Sequence, residues 1–456
     1  MSGAALVVVL LLVLAGNGLL RLTALRTESG PERLGFSFAA GCTLLAGGSA
    51  LLSPFALATP PALVGLLAAA TLAPILAGRP NGRTELTENW PTFLPALLLV
   101  ALSLWLAALR PVWNVDALMR WVLHGQWLAA EGSLVPDRMA DPAWAPTHPG
   151  YPPLVPAVVG LAIGLGADPG EGVRVLFPFF LLALLGILHG FGLRTLGKVR
   201  AWMLPLAFGL TPAVLWLPAR GPAFGLGADA ALADLPLALM LTGLAVPLLD
   251  AVRHRTRPAV GATALLAAGA VWTKQEGAVS ALLMLLLAAA AAAAWPRGER
   301  GRVLARIGLV LAAATLALIG WRAVAARMPV AAGEDYLSAG GIAAVFAGFD
   351  RLGPILARLG RELADFRTWG ALWPAALFTG ILALVRRNGS ALLPLAWLGL
   401  GFLVAVAGFV ASGWRGGDYA HLMEVSLTRL LLHHAPLAAL ALAELGRPRP
   451  PVAPAR

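Results

Sequence analysis

The sequence predicts an all-α polytopic membrane protein, and three observations carry that prediction. Of its 456 residues, 59% are hydrophobic and only 12% are charged, against roughly a quarter charged in soluble domains. The apolar residues fall in blocks long enough to cross a hydrocarbon layer, which takes about 20 residues of helix. Backbone polar groups find no water inside a bilayer, so such blocks must close their hydrogen bonds internally as helices.

Taken in order, the apolar blocks are 4–22, 35–52, 55–77, 93–109, 151–165, 173–193, 202–217, 230–249, 259–272, 278–294, 303–324, 371–385, 392–410 and 430–445. This predicts a bundle of about 13–14 transmembrane helices, several of them shorter than an ideal span. The first block is longer than a usual signal-peptide core and has no basic leader, so it is read as a span. The alanine-rich run at 288–294 is read as lipid-facing helix. The chain reads as one transmembrane domain over 1–456. Within it, 1–92 holds additional N-terminal spans, 110–150 is a polar loop with an interfacial helix, and 326–370 is a second long loop.

Charge orients the bundle. Lys and Arg outnumber Asp and Glu by 34 to 23, and the excess is arginine-rich loops of the kind retained on the cytoplasmic side, not a nucleic-acid footprint. The clusters are Arg194, Lys198 and Arg200; Arg253, Arg255 and Arg257; Arg297, Arg300, Arg302 and Arg306; Arg386 and Arg387; Arg447 and Arg449. Neighbouring clusters are separated by two blocks each, which puts them all on one face. The opposite, outer face then collects Asp229, Glu276, Glu334, Asp335, Asp418 and Glu424. Toward the N-terminus, Arg21, Arg26, Arg33, Arg79 and Arg83 place the 110–150 loop outside as well. If 151–165 and 173–193 both crossed fully, Arg194 would land on the wrong side. Either the first stops short or the charge rule fails there, and the first reading is preferred. Cys42 is the sole cysteine, which excludes an internal disulfide or thiolate cluster.

The stretch "VWNVDALMRW" (112–121) opens a helix reaching Glu131. Val115, Leu118, Met119 and Val122 fall on one face; Asp116, Arg120, His124, Trp127 and Glu131 fall on the other. That pattern fits a helix lying in the membrane interface, greasy side down, with tryptophans at headgroup depth. Asp116 sits in its first turn, where the helix dipole favours an acid and Arg120 can pair with it at i+4. "THPGYPPLVP" (147–156) follows, with four prolines in ten residues. It must be a stiff, extended connector, a wall able to hold His148 and Tyr151 beside Asp116.

This order of features, an acid just after an early span, a Trp-rich interfacial helix and then "HPGYPPL" (148–154), resembles the GT-C superfamily of membrane glycosyltransferases. It is most similar to bacterial relatives of protein O-mannosyltransferases and of lipid A aminoarabinose transferase. "ADLPLAL" (233–239), "TKQEG" (273–277) and "SLTRLLLHHAPL" (426–437) look like the same group. The resemblance runs from Trp113 to Leu437, and residues before about 90 take no part in it. It implies an inverting transferase in the cytoplasmic (inner) membrane, its active site facing the outside or periplasm. Such an enzyme takes a sugar from a polyprenyl-phosphate carrier and gives it to a glycan, lipid or protein acceptor of the cell envelope. The family's loop acid maps onto Asp116. Many members carry a second acid beside it, where this chain has Ala117.

The chemistry sets independent demands. A base must reach the acceptor hydroxyl, positive charge must meet the departing phosphate, and an apolar groove must receive the prenyl tail, with hydrogen bonds to the ring hydroxyls a further help. Asp116 is the expected base. Arg429, then Lys274, are expected at the phosphate; Asp234, Glu276, His148, Tyr151 and Arg120 are the remaining candidate substrate contacts. Asp234, about a turn inside its span, could hold sugar hydroxyls or a cation, so the chemistry admits Mg or Mn without requiring either. Each residue also has a plainer reading: Arg429 as an interface anchor, Lys274 with Glu276 as a hairpin pair, Asp234 as a helix-start acid. His433 and His434 are read as structural. No HExxH, phosphate-binding glycine loop or Ser/His/Asp order occurs. A transporter or lipid flippase is the alternative, though such proteins commonly show internal repeats, and none is visible.

Overall fold

The computed structural model describes residues 3–23, 25–78, 89–109, 111–148, 150–215, 227–228, 230–254, 259–328, 339–412 and 418–447. Asp229, Arg79, Arg83, Arg255, Arg257, Arg449, Glu334, Asp335 and Tyr336 lie outside them. Among the described residues the chain is helical with no strand. The helices are α1 (Gly3–Arg21), α2 (Gly30–Leu52), α3 (Pro60–Leu76), α4 (Leu94–Leu109), α5 (Leu123–Glu131), α6 (Leu154–Gly164), α7 (Phe177–Leu196), α8 (Met203–Gly209), α9 (Pro212–Leu215) and α10 (Asp234–His254). There follow α11 (Val260–Thr273), α12 (Gln275–Ala293), α13 (Arg297–Ala325), α14 (Ala339–Ala347), α15 (Leu352–Leu363), α16 (Phe366–Trp369), α17 (Leu372–Val385), α18 (Gly389–Ala411) and α19 (Tyr419–Leu445). Nine are long and apolar enough to cross a membrane, and four further apolar helices are shorter, among the described residues. This is a multi-pass, all-α membrane protein.

The ends follow local chemistry. Ser29 caps α2 by accepting the Glu32 N–H, with Pro31 in the first turn; Asp418 caps α19 by accepting from His421. Such caps satisfy donors that a helix start otherwise leaves orphaned. α7 and α10 are the most enclosed helices, whereas α13 and α4 face outward over most of their surface. α10 packs on α7, α11, α12 and α19, and α2 packs on α1, α7 and α11.

Three expectations need correction. The block 202–217 is two short helices, α8 and α9, broken around Leu210–Thr211; Pro212 has no N–H to continue the preceding helix. The alanine-rich part of α12 is not simply lipid-facing. Ala281, Leu285, Ala288 and Ala292 form a buried stripe at helical spacing, and Trp397 donates its indole N–H to the Met284 carbonyl. Trp121 and Trp127 are buried inside the protein and do not face lipid. The helix they ride runs as a π-turn over Ala117–Val122, which rotates Trp121 and Val122 inward while Val115, Leu118 and Met119 remain exposed. On the open question of 151–165, α6 has eleven residues. It rises about 16 Å, half of a hydrocarbon core, and is shorter than a full span.

Glycine sets the closest helix contact. A Cβ at Gly16 would meet the Ser37 carbonyl, and one at Gly41 the Leu12 carbonyl, so α1 and α2 touch backbone to backbone. Gly16→Val is expected to cost about 1–3 kcal/mol by overpacking, lowering the unfolding temperature in detergent. Gly65→Val, where a Cβ meets nothing within 4 Å, should leave it near wild type; equal effects would contradict the close approach.

Candidate functional site

At one end of the bundle the charges converge on Asp234. This residue begins α10 and is 1% exposed. Its Oδ2 accepts from Arg429 Nε at 2.8 Å, and its Oδ1 accepts from Lys274 Nζ at 3.0 Å and from His433 Nε2 at 2.8 Å. Three donors on one buried carboxylate is near saturation. Two of those donors are cations, and the one carboxylate holds both in place. Lys274 reaches it because it is the single extended residue between α11 and α12, with φ −155 and ψ 159.

Arg429 then carries the network outward. Its Nη1 donates to Asp116 Oδ2 at 2.5 Å, so one guanidinium joins α10, α19 and the Asp116 helix. Arg120 stands 3.4 Å from the same Asp116 oxygen, at i+4. The Asp116 side chain keeps 26% of its surface, against 2% for Asp234, which makes Asp116 the reachable acid of the pair. Its helix start is capped by another residue. Asn114 Oδ1 accepts from the backbone N–H of both Asp116 and Ala117, leaving the carboxylate free of capping duty. Burial raises the Asp116 carboxyl, but the Arg429 and Arg120 guanidiniums outweigh it and hold it below the usual carboxylate value.

The proline-rich connector supplies an aromatic wall. Tyr151 has Trp121 edge-on at 5.3 Å, His148 edge-on at 5.6 Å and the Arg120 guanidinium over its ring at 5.2 Å. His148 adopts a left-handed backbone, φ 53, uncommon for a residue with a side chain. Trp321 of α13 donates to the Gly150 carbonyl, which ties the connector down. Glu276 lies 3.8 Å from Lys274, and its Oε2 is buried with no hydrogen-bond partner. A small cavity lined by Phe177, Leu232, Asp234 and Leu432 adjoins the network.

All eight candidate residues from the sequence, Asp116, Arg120, His148, Tyr151, Asp234, Lys274, Glu276 and Arg429, belong to this one linked constellation. His433 was missed as a member. The signal was available: it lies four residues after Arg429, on the same helix face. His434 has no such role; its Nδ1 is buried without a partner and its ring fills the space beside Gly401. Asp234 spends its oxygens on Arg429, Lys274 and His433, donors that compete with any metal ion for them. Among the described residues no group of three or more His, Cys, Asp or Glu side chains is placed to hold a metal.

The histidines of the loop make stability pH-dependent. Burial, with Arg120 nearby, lowers His148 from 6.5 to about 4 and His124 to about 3. Both are neutral in the fold, so the unfolded chain binds more protons as pH falls through 6.5, and stability drops with it. The Asp116 pairing has the same sign in a lower window: it is fully present above an unfolded carboxyl pKa of about 4 and is lost only at lower pH. Unfolding temperature should therefore fall from pH 7 to 4.5, with a shallower slope in His148→Asn. Identical slopes would remove His148 from the account.

In comparisons with family models, with curated proteins and with solved structures, none matches this chain.

Proposed function

We propose that this chain is an inverting glycosyltransferase of the GT-C type, moving a sugar from a polyprenyl-phosphate carrier to an acceptor at the non-cytoplasmic face of the membrane. The observation that carries the reading is Arg429 clasping Asp116 and Asp234 together at the end of α10 opposite its basic terminus, Arg253 and His254. With basic ends held in the cytoplasm, the constellation opens on the other side, where lipid-linked sugars are used.

In the resting arrangement Asp116 is a weak base because two guanidiniums neutralise it. A donor phosphate would draw on the same guanidiniums, since phosphate suits a planar fork as well as carboxylate does. That exchange loosens Asp116, which then takes the acceptor hydroxyl's proton. The acceptor oxygen bonds to the anomeric carbon from the face opposite the leaving group, and the carbon–oxygen bond to phosphate breaks with its electron pair. The negative charge departs on the prenyl phosphate, stabilised by Arg429, Arg120 and Lys274. Tyr151 and His148 give a ring-sized aromatic surface for the sugar, and the unpartnered Glu276 oxygen is an acceptor for one of its hydroxyls.

The test is release of polyprenyl phosphate from defined hexosyl and pentosyl donors by the detergent-purified protein with envelope extract as acceptor. Consumption of at least one donor is expected. A protein that consumes none, yet moves labelled lipid or solute across vesicles, would favour the transporter or flippase alternative.

A further inference from the structure

The second long loop carries a buried acid that the reaction above does not use. In α15, Ile355, Leu359 and Glu362 are buried at positions i, i+4 and i+7, the spacing of one helix face. Two of the three are apolar; the third is a carboxylate, costly to bury without a task. Glu362 Oε1 accepts from Thr428 Oγ1 at 2.6 Å and from Trp369 Nε1 at 3.3 Å, and Arg358 stands 3.1 Å from Oε2. Thr428 is also unusual. Thr195, Thr242, Thr263, Thr273 and Thr379 each return the hydroxyl to the carbonyl four residues back, whereas Thr428 donates across to another helix.

Thr428 immediately precedes Arg429. Successive helical side chains are about 100° apart, so fixing where Thr428 points fixes the direction in which Arg429 leaves α19. Arg429 has to reach Asp116 and Asp234 at once, at 2.5 and 2.8 Å. One guanidinium held between two carboxylates on different segments constrains the rotation of α19 about its axis. We propose that Glu362 is a positioning residue: through Thr428 it sets the rotation of α19 that allows Arg429 to bridge Asp116 and Asp234. The use of Arg429 on phosphate rests on the reading above; its placement by Glu362 does not.

The test uses full-length Glu362→Leu, Glu362→Gln, Thr428→Val and the Leu/Val double variant in detergent. Reaction of Arg429 with phenylglyoxal is followed by mass spectrometry, with exposed Arg386 as internal reference. Glu362→Leu and Thr428→Val should each speed Arg429 labelling about tenfold, the scale of one hydrogen bond to a charged group. The double variant should label no faster than either single one. Glu362→Gln, whose amide oxygen still accepts from Thr428, should stay close to wild type. Wild-type labelling in Thr428→Val, or additive effects in the double variant, overturns the proposal. If Glu362→Leu fails to fold, the near-isosteric Thr428→Val decides alone. Labelling needs no substrate, so its outcome stands apart from whether transfer is detected. If transfer is detected, Thr428→Val should raise the donor KM more than it lowers kcat.

Discussion

Asp116→Asn should lower sugar transfer about 10²- to 10⁴-fold, the usual contribution of a positioned base, while unfolding near the wild-type temperature. Asparagine keeps the size and one acceptor oxygen for Arg429 but cannot take up the acceptor's proton. The fold should tolerate it because Asn114, not Asp116, caps the helix start. The lost ion pair is also a quarter exposed on its acid side, where water screens much of its value. Transfer from a defined polyprenyl-phosphate sugar in detergent, at saturating donor, reads the effect. A folded Asp116→Asn protein working at the wild-type rate would remove Asp116 as the base.

Asp234→Ala should act on the fold itself. It strands Arg429 and Lys274, both nearly buried, with no counter-charge on that side. Removing one partner from a buried network costs about 3–5 kcal/mol, a large share of a stability of about 5–15 kcal/mol. The expected result is poor accumulation in the membrane, or a sharply lowered unfolding temperature by tryptophan fluorescence. Asp116→Asn in parallel is the control for simple loss of charge. A wild-type unfolding temperature for Asp234→Ala would mean that the network does not hold α10, α12 and α19 together.

The spans were legible because burial in lipid writes itself into composition. Block boundaries matched α1, α2, α4 and α10 to within a few residues, whereas the break at Pro212 within 202–217 was hidden inside a continuous apolar run. Within the site, the Asp116–Arg120 pair was readable because i+4 neighbours meet by helix geometry alone. The meeting of Asp234 with Arg429 was not, since the two are 195 residues apart and long-range pairing leaves no local period. Sequence could place them only on the same face, by counting basic loops. His433 was passed over because its neighbour His434 and the apolar residues around it read as plain core. The π-turn at Ala117–Val122 misplaced Val122 for a related reason: a helical wheel assumes an even 3.6 residues per turn, and one wide turn shifts everything after it.

α10 and α19 are tied together a second time at their far ends, where Arg253 Nη1 meets Glu444 Oε2 at 2.7 Å and Arg447 Nη2 meets Glu444 Oε1 at 2.7 Å. Nearby, Arg194 of α7 binds Glu32 of α2 and Asp250 of α10. A rod fastened at both tips cannot seesaw. Alternating-access carriers work by rocking one group of helices against another about a central site, and rocking α10 on α19 would tear one of these two buried clasps on every cycle. α10 and α19 therefore stand as one clamped pair, braced at both ends of the bundle.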